Sequence, residues 1–394
     1  MVFSITVTSR PFSYVLICYS YPPVLGGSEI EAQRVSAALQ QRGHRARIVC
    51  AGGAPMPDVR NWIDPCGLSV RIIGGGWPAR LRGYVFALGV AWTLIRERNN
   101  YEVAYFLMQG FHLVTGLPVA RMLGKPIVMK FSCSSLVKQM SESLTGRVSL
   151  RFLKWWASSI LVLNPGMVEE AKEAGVNLDR VGWMPNPVDT EEFSPCDDQD
   201  RFKIRASLGL ASDVPAAVFV GRLDTQKELP WLVGAFAKVV RESPEAVLTL
   251  VGDGPLRNQI SDLVVSLGLE KNVRFAGRLD SKGVLSWLRA ADVFLLISAI
   301  EGLPCSVLEA MSAGTPCVLS DIPAHTQLVE HEVDGVITKL GDQDSIAQGV
   351  LKLFRDPAGR RRMGAAARRK MIDRFSTERV IAYYETLFSR LTQA

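Results

Sequence analysis

The apolar positions of this chain gather into short uninterrupted runs, each followed by a turn and then by a segment with helical spacing. SYVLICYS at 13–20 is the first clear run, and YPPVLGG leads from it into a helix predicted from Ser28 to Arg42, stopped by Gly43. RARIVCAG reads as the next strand. The unit recurs as YEVAYFLMQ, LVTGLPVARMLG and KPIVMKFS, and again as ASSILVLN, GMVEEAKEAG and RVGWMPNP. Strands alternating with helices predict a parallel, doubly wound α/β sheet.

Near 187–215 the texture changes. PNPVDTEEFSPCDDQDRFKIRASLGLASDVP is rich in proline and acid and holds no buried-strand run, so it reads as a linker. The alternation then restarts with AAVFVGRL, AVLTLVGDG, NVRFAGRL, DVFLLIS and TPCVLSD. At 394 residues the chain is long enough for two cores. The expected plan is therefore two successive Rossmann-like domains with parallel sheets facing an interdomain cleft, since ligands bind at the carboxyl ends of such strands. Boundaries fall at 1–188 for the first domain, 189–375 for the second and 376–394 for a C-terminal helix.

Composition narrows the class. With 48% hydrophobic and 21% charged residues, the chain reads as an ordinary soluble globular protein. The opening MVFSITVTSRPF is broken by Arg10 and Pro11 and lacks the features of a signal peptide. YVFALGVAWTLI at 84–95 is twelve residues long, too short to span a bilayer, and predicts a buried helix. Seven scattered cysteines without CxxC spacing suit buried thiols in a reducing cytoplasm, and four histidines offer no metal-ligand spacing.

Charge is uneven. Residues 1–190 hold 20 Lys and Arg against 12 Asp and Glu, a net +8, and the remainder, with 25 against 27, is −2. The excess in the first half is compatible with an anionic membrane surface, a phospholipid or a pyrophosphate-linked substrate. Nucleic acid is not expected, because the bases are not interleaved with aromatics in a known motif.

The stretch SAIEGLPCSVLEAMS at 298–312 sets Glu301 and Glu309 between two apolar strands. A helix predicted to start at Pro304 and stop at Gly314 would present backbone N–H groups at Gly302 to Ser306, an anion site between the two carboxylates. Upstream, VGRLDTQKELPWLVGAF places Arg222 and Lys227 just after a strand, a pair suited to a diphosphate. Each element also has a plain reading: a carboxylate near a helix end, and a surface pair neutralised by Asp224 and Glu228. Gly26 and Gly27 allow close backbone approach to a ligand, with Ser28 and Glu31 forming a capping box that explains the same residues without one.

Taken in order, PPVLGGSEIEAQRVSAALQQRGHRARIV, NPVDTEEFSP, VGRLDTQK, VGDGPLR, FAGRLD and EGLPCSVLEAMSAGTP resemble the retaining nucleotide-sugar glycosyltransferases of family 4, with the GT-B fold. The resemblance runs from about Tyr14 to the end. It implies that Arg222 and Lys227 hold the donor diphosphate, that Glu309 bonds the donor ribose and that Glu301 contacts the donor sugar. Gly302, Leu303 and Pro304 would close around sugar and phosphate, with Gly26 and Gly27 approaching from the other domain. It further implies no metal and no cofactor, the nucleotide sugar being a co-substrate, and an acceptor that is a glycan or lipid-linked saccharide in cell-surface polysaccharide or glycoconjugate synthesis. A nucleotide-sugar epimerase and a non-catalytic nucleotide-sugar-binding partner are the alternatives.

One departure bears on the acceptor side. Many relatives end the strand matching PIVMKFS in a histidine, and this chain has Ser132 there, with His112 the nearest other histidine. Two stretches bear on partners. GRVSLRFLKWW at 146–156 suits peripheral contact with an anionic membrane at the cytoplasmic face, and equally a helix burying its aromatics. The basic helical pattern of the carboxyl end reads mainly as a solvated face.

Overall fold

The computed structural model describes residues 10–23, 26–53, 55–57 and 59–393. These form two compact units: the chain up to Pro187 together with the stretch from Thr377 onward, and Val188–Ser376.

The first unit opens with β1 (Ser13–Cys18), α1 (Gly27–Gln41), β2 (Arg45–Ala51), β3 (Asn61–Ile63) and β4 (Ser69–Ile73). It continues with α2 (Ala79–Arg96), β5 (Val103–Leu107), α3 (His112–Met122), β6 (Ile127–Lys130), α4 (Leu136–Glu142) and α5 (Leu144–Trp156). Then come β7 (Ser159–Val162), α6 (Pro165–Glu173) and β8 (Val181–Trp183). The strands lie in the order β3-β4-β2-β1-β5-β6-β7-β8. All pairs are parallel except the short edge strand β3, which runs antiparallel to β4. Strand order reverses between β1 and β5, so the loops leaving these two strands diverge.

The second unit starts with α7 (Asp198–Ser207), β9 (Ala216–Val220), α8 (Leu229–Glu242), β10 (Val247–Val251), α9 (Arg257–Ser266) and β11 (Val273–Gly277). Next are α10 (Ser281–Ala290), β12 (Val293–Leu296), α11 (Cys305–Ser312), β13 (Cys317–Ser320), α12 (Pro323–Thr326) and β14 (Val336–Thr338). Helices α13 (Gln343–Arg355) and α14 (Pro357–Lys370) complete it. Its parallel sheet has the order β11-β10-β9-β12-β13-β14, with the reversal between β9 and β12.

The last helix, α15 (Thr377–Gln393), packs on α1 and β5 of the first unit. Tyr384 and Phe388 enter an aromatic cluster with Phe12, Tyr14 and Tyr105. Beside it the Phe12 ring stacks on His44, whose Nδ1 accepts from the Phe12 N–H and whose Nε2 faces Glu385 at 3.1 Å. Under the cluster lies a closed polar network. Lys130, at the end of β6, is fully buried, with its Nζ 2.6 Å from Glu31 Oε1 and 3.2 Å from both Asn186 and the Tyr384 hydroxyl. The Tyr384 hydroxyl in turn donates to Glu31.

Four expectations change here. Glu31 turns inward to Lys130 and caps nothing; α1 begins at Gly27 after an extended Gly26, with no side-chain cap. The 187–215 stretch is folded into the second unit: Val188 and Phe193 are buried, α7 spans ten residues of it, and Arg205 is buried against Asp292. Its polar surface residues hid a helix anchored by a few long contacts. The 84–95 run lies in α2 but is buried on one side only, through Phe86, Ala87, Val90 and Leu94; Tyr84, Leu88, Trp92 and Ile95 are exposed. In α5, Leu150 and Leu153 are buried and Phe152 stacks on Trp156, while Trp155 stays exposed under the Arg151 guanidinium. All seven cysteines are free thiols, and Cys18, Cys50 and Cys317 are buried.

Removing one partner of a buried ion pair leaves an uncompensated charge. Lys130→Met should therefore cost about 3–5 kcal/mol in urea unfolding, whereas Glu31→Gln with Lys130→Met should recover most of that loss. Equal unfolding midpoints for the two variants would show that the pair is not coupled.

Candidate active site

In the second unit, the crevice made by the β9/β12 reversal collects the charged residues singled out from the sequence. The loop leaving β9 carries Arg222 and Lys227, and the loop leaving β12 carries Glu301. The two loops meet directly: Ala299 N–H donates to the Gln226 carbonyl at 3.0 Å, and Lys227 Nζ lies 2.5 Å from Glu301 Oε1. Both side chains are largely covered, at 14% and 11% exposure. Lys227 therefore pairs with Glu301, not with Glu228 as the plain surface reading had it. Arg222, by contrast, is 71% exposed and reaches Asp224 only at 3.9 Å. One cation is held in place and the other stands open to solvent.

Backbone chemistry fixes these loops. Asp224 caps the turn Thr225–Lys227 by accepting from the Gln226 N–H. Glu228, just before α8, sits at φ +42, a left-handed conformation that costs a non-glycine residue of order 1–2 kcal/mol. The VGDG loop after β10 lies against the Arg222 loop: Gly221 N–H donates to the Val251 carbonyl and Leu223 N–H to that of Asp253, both at 3.0 Å. Gly252, at φ +137, passes so close that a Cβ would stand 1.8 Å from the Gly221 carbonyl oxygen. Only glycine fits there, and the loop bearing Arg222 keeps its place because of it.

Helix α11 begins at Cys305, one residue later than expected, because Pro304 remains extended as the N-cap. Gly302, Leu303 and Pro304 are buried in the approach to that helix. Glu309 lies inside it with 9% exposure, among Val307, Leu308, Ala310 and Met311. The stop at Gly314 is as read, at φ +74. Gly26 and Gly27 belong to the first unit, at the start of α1 in the loop leaving β1; the preceding Val24 and Leu25 lie outside the described residues. Ser132 is half-buried just beyond β6.

The structure adds a polar cluster at the ends of β12 and β13 that the motifs did not point to. Ser320 Oγ accepts from the Ser298 N–H and donates to the Ser298 carbonyl. His325 Nδ1 is 3.0 Å from the Ser320 carbonyl, an acceptor only, so Nδ1 carries the proton and Nε2 keeps a lone pair. That Nε2 and the Ser298 hydroxyl are buried with no partner among the described residues. Burial holds the His325 pKa down at about 4, with Glu301 raising it and Lys227 lowering it, which places the ring in the field of the ion pair. The legible signal was His325 itself, five residues beyond the end of a buried strand. His112, at the start of α3, is likewise buried and pushed down to about 4 by desolvation, with neither ring nitrogen partnered. Among the described residues no group of three or more His, Cys, Asp or Glu is gathered closely enough to hold a metal ion, and no helix is long and apolar enough to cross a membrane.

Comparison with known proteins gives consistent matches along the chain. The profile of the glycosyl transferases group 1 matches residues 200–370, and that of glycosyltransferase family 4 matches residues 25–192. Over 376 residues the chain is 24% identical to N-acetyl-alpha-D-glucosaminyl L-malate synthase of Bacillus anthracis, covering 95% of each. Over 190 residues it is 35% identical to the UDP-Gal:alpha-D-GlcNAc-diphosphoundecaprenol alpha-1,3-galactosyltransferase of Escherichia coli, covering 47% of this chain and 48% of that one. The crystal structure of HepE from Anabaena in complex with UDP and glucose superposes with a TM-score of 0.80 at 20% identity, covering 96% of this chain and 100% of the other.

Both buried histidines are neutral when folded, near pKa 4, and ordinary near 6.5 when unfolded. Between those values the unfolded chain binds more protons, so stability is complete above 6.5 and falls as the pH drops toward 4. Thermal unfolding should show this slope, and His112→Leu with His325→Asn should flatten it; an unchanged slope would remove the assignment.

Proposed function

Because the chain belongs to the glycosyltransferases of family 4, with the GT-B fold, we propose that it transfers a hexosyl unit from a nucleoside diphosphate sugar to a saccharide hydroxyl, with retention at the anomeric carbon. The observation that carries this reading is the pairing of Lys227 with Glu301 across the loops leaving β9 and β12, with the exposed Arg222 on the same loop as Lys227. Breaking the anomeric bond develops positive charge on the sugar and negative charge on the departing diphosphate. Arg222 is exposed and ready for the incoming phosphates. Lys227 is neutralised by Glu301 until a diphosphate competes for it, and Glu301 contacts the sugar. Glu309, one helical stretch further on, bonds the ribose, and Gly302 to Pro304 line the sugar and phosphate. The two cations supply the charge that a metal ion supplies in other transferases, so the reaction proceeds without one.

The acceptor is a glycan or lipid-linked saccharide handled at the cytoplasmic membrane face. The Escherichia coli relative is named for a diphosphoundecaprenol-linked acceptor and the Bacillus anthracis relative for malate, a small acceptor. The lipid-linked class is favoured here by the positive charge concentrated in the first half of the chain. Ser132 and His112 take no part in bond making: one is a weakly basic hydroxyl, and the other is sealed from solvent.

Thermal-shift measurements with UDP, GDP and ADP, alone and as sugar conjugates, test the donor. A ligand at a hundred times its dissociation constant stabilises the fold by about 2.7 kcal/mol. Glu309→Ala should weaken nucleotide binding about tenfold. Glu301→Ala should lower kcat about a hundredfold while nucleotide binding persists. Ser132→Ala should leave turnover unchanged. No shift with any nucleotide at millimolar concentration would overturn the reading, and donor turnover without an acceptor would move it to an epimerase.

A further inference from the structure

Between its flanking arginines, from Gly83 to Ile95, helix α2 is apolar apart from Thr93, yet its outer face is uncovered. Its inner face, through Phe86, Val90 and Leu94, is buried in the first unit. Its outer face carries Leu81, Tyr84, Leu88, Trp92 and Ile95, all exposed. Successive steps of three, four, four and three residues keep the five on one stripe. From Leu81 to Ile95 the stripe runs about 21 Å along the axis. Leu88, at its middle, is 66% exposed. A helix apolar all round is ordinarily enclosed on every side, so this face is built for something outside the unit.

The charges around the stripe say what covers it. Helix α2 holds three arginines, Arg80, Arg82 and Arg96, and no acid. Arg80 and Arg96 are exposed and fall on opposite flanks of the stripe. The Arg96 guanidinium and that of Arg71, from β4, lie 5.0 and 4.7 Å from the Trp92 ring centre. Glu97 is paired with Arg47 at 2.8 Å and lies 3.9 Å from Arg71, which leaves Arg80 and Arg96 as the cations flanking the stripe. Tryptophan and tyrosine on an apolar stripe bordered by arginine are the composition of a helix lying in a bilayer interface. A second copy of the same helix would bring like charges together, whereas anionic headgroups would neutralise them.

We infer that the outer face of α2 docks the protein on an anionic phospholipid surface, the helix lying in the plane of the headgroups. The site differs from the 146–156 helix suggested by sequence, where the large apolar exposures are confined to Leu144 and Trp155. Helix α2 begins at the carboxyl edge of the first sheet, beyond β4, and Tyr84 touches Phe111 in the loop leaving β5. Docking thus brings that edge to the bilayer, which suits the lipid-linked acceptor proposed above but does not depend on it.

Cosedimentation of the full chain with phosphatidylcholine vesicles, with and without phosphatidylglycerol, tests this surface. The wild type should bind the anionic vesicles, lose binding in high salt and ignore the neutral ones. Leu88→Glu with Trp92→Glu should weaken binding about tenfold or more, and Arg80→Gln with Arg96→Gln should reduce both binding and its salt dependence. All four side chains are exposed, and the nucleotide-induced thermal shift, read on the same samples, reports an intact fold and separates this test from that of the donor. Absence of binding to anionic vesicles, or equal binding by the Leu88/Trp92 variant, would overturn the inference. So would a concentration-dependent dimer in sedimentation velocity that the same variant abolishes, since the face would then belong to a second copy.

Discussion

A parallel sheet has to carry the chain back across its face after every strand, and the direction of that return decides where charge can be placed. In the second unit the returns after β9 and β12 go opposite ways. The crossovers that follow these strands therefore part from each other, and the sheet edge between them is not roofed by its own helices. Arg222, Lys227 and Glu301 all stand there, on loops that no strand ladder constrains. Positioning comes instead from backbone: the Gln226–Ala299 hydrogen bond, the Asp224-capped turn and the close passage of Gly252 over Gly221. Strands so completely buried, such as β10 and β12, leave few other places where a carboxylate and an ammonium could face a ligand without being desolvated outright.

The two units treat an acid–lysine pair in opposite ways. Lys130 and Glu31 are sealed, and the other two donor directions of Lys130 go to Asn186 and Tyr384, so the pair joins α1, β6 and α15 into one block. Such a pair gains little net stability, because burial costs about what attraction returns, but it is expensive to break and so fixes which helices meet. Burial beside that carboxylate pushes the Tyr384 and Tyr105 hydroxyls well above the usual range, so both stay protonated donors. Lys227 and Glu301 keep some contact with solvent, and the exposed Arg222 stands on the loop that bears Lys227. Water contact keeps the cost of parting them low. A closed pair serves architecture; a half-open pair can change partners.

What the sequence disclosed follows from which residues had a single physical use. Gly43 and Gly314 were readable as helix stops because a left-handed residue must end a helix, and both sit at positive φ. The apolar runs were readable as strands because they are buried on both faces, as in DVFLLIS and AVLTLVGDG. Residues with two uses were not readable. Glu31, three after Ser28, fits a capping box, but a buried lysine ninety-nine positions away claims it, and local spacing holds no trace of that. The acids of 197–200 looked like linker and instead cap and begin α7. His325 and Ser298 lack motif status because their cluster is made by neighbouring strand ends that lie far apart in the chain. In α2 apolar residues occur all round, so periodicity could not distinguish a buried helix from one with an outer apolar face.

The charge distribution ties these points together. If the excess positive charge existed to attract the nucleotide, it should lie in the half that bears Arg222 and Lys227, yet that half has a net charge of −2. Screening confines exposed charges to about 8 Å at physiological salt. Whatever anion Arg222 and Lys227 attract is therefore drawn by local placement, and the overall field of their unit contributes little. In the first half, at +8, four of the arginines lie on α2 and the neighbouring β4: Arg80, Arg82, Arg96 and Arg71. A field of that sign, spread over an apolar face and not focused into a pocket, is suited to an extended anionic surface. The charges at the β9/β12 reversal and those along α2 are thus separate sets, so that each can change without altering the other.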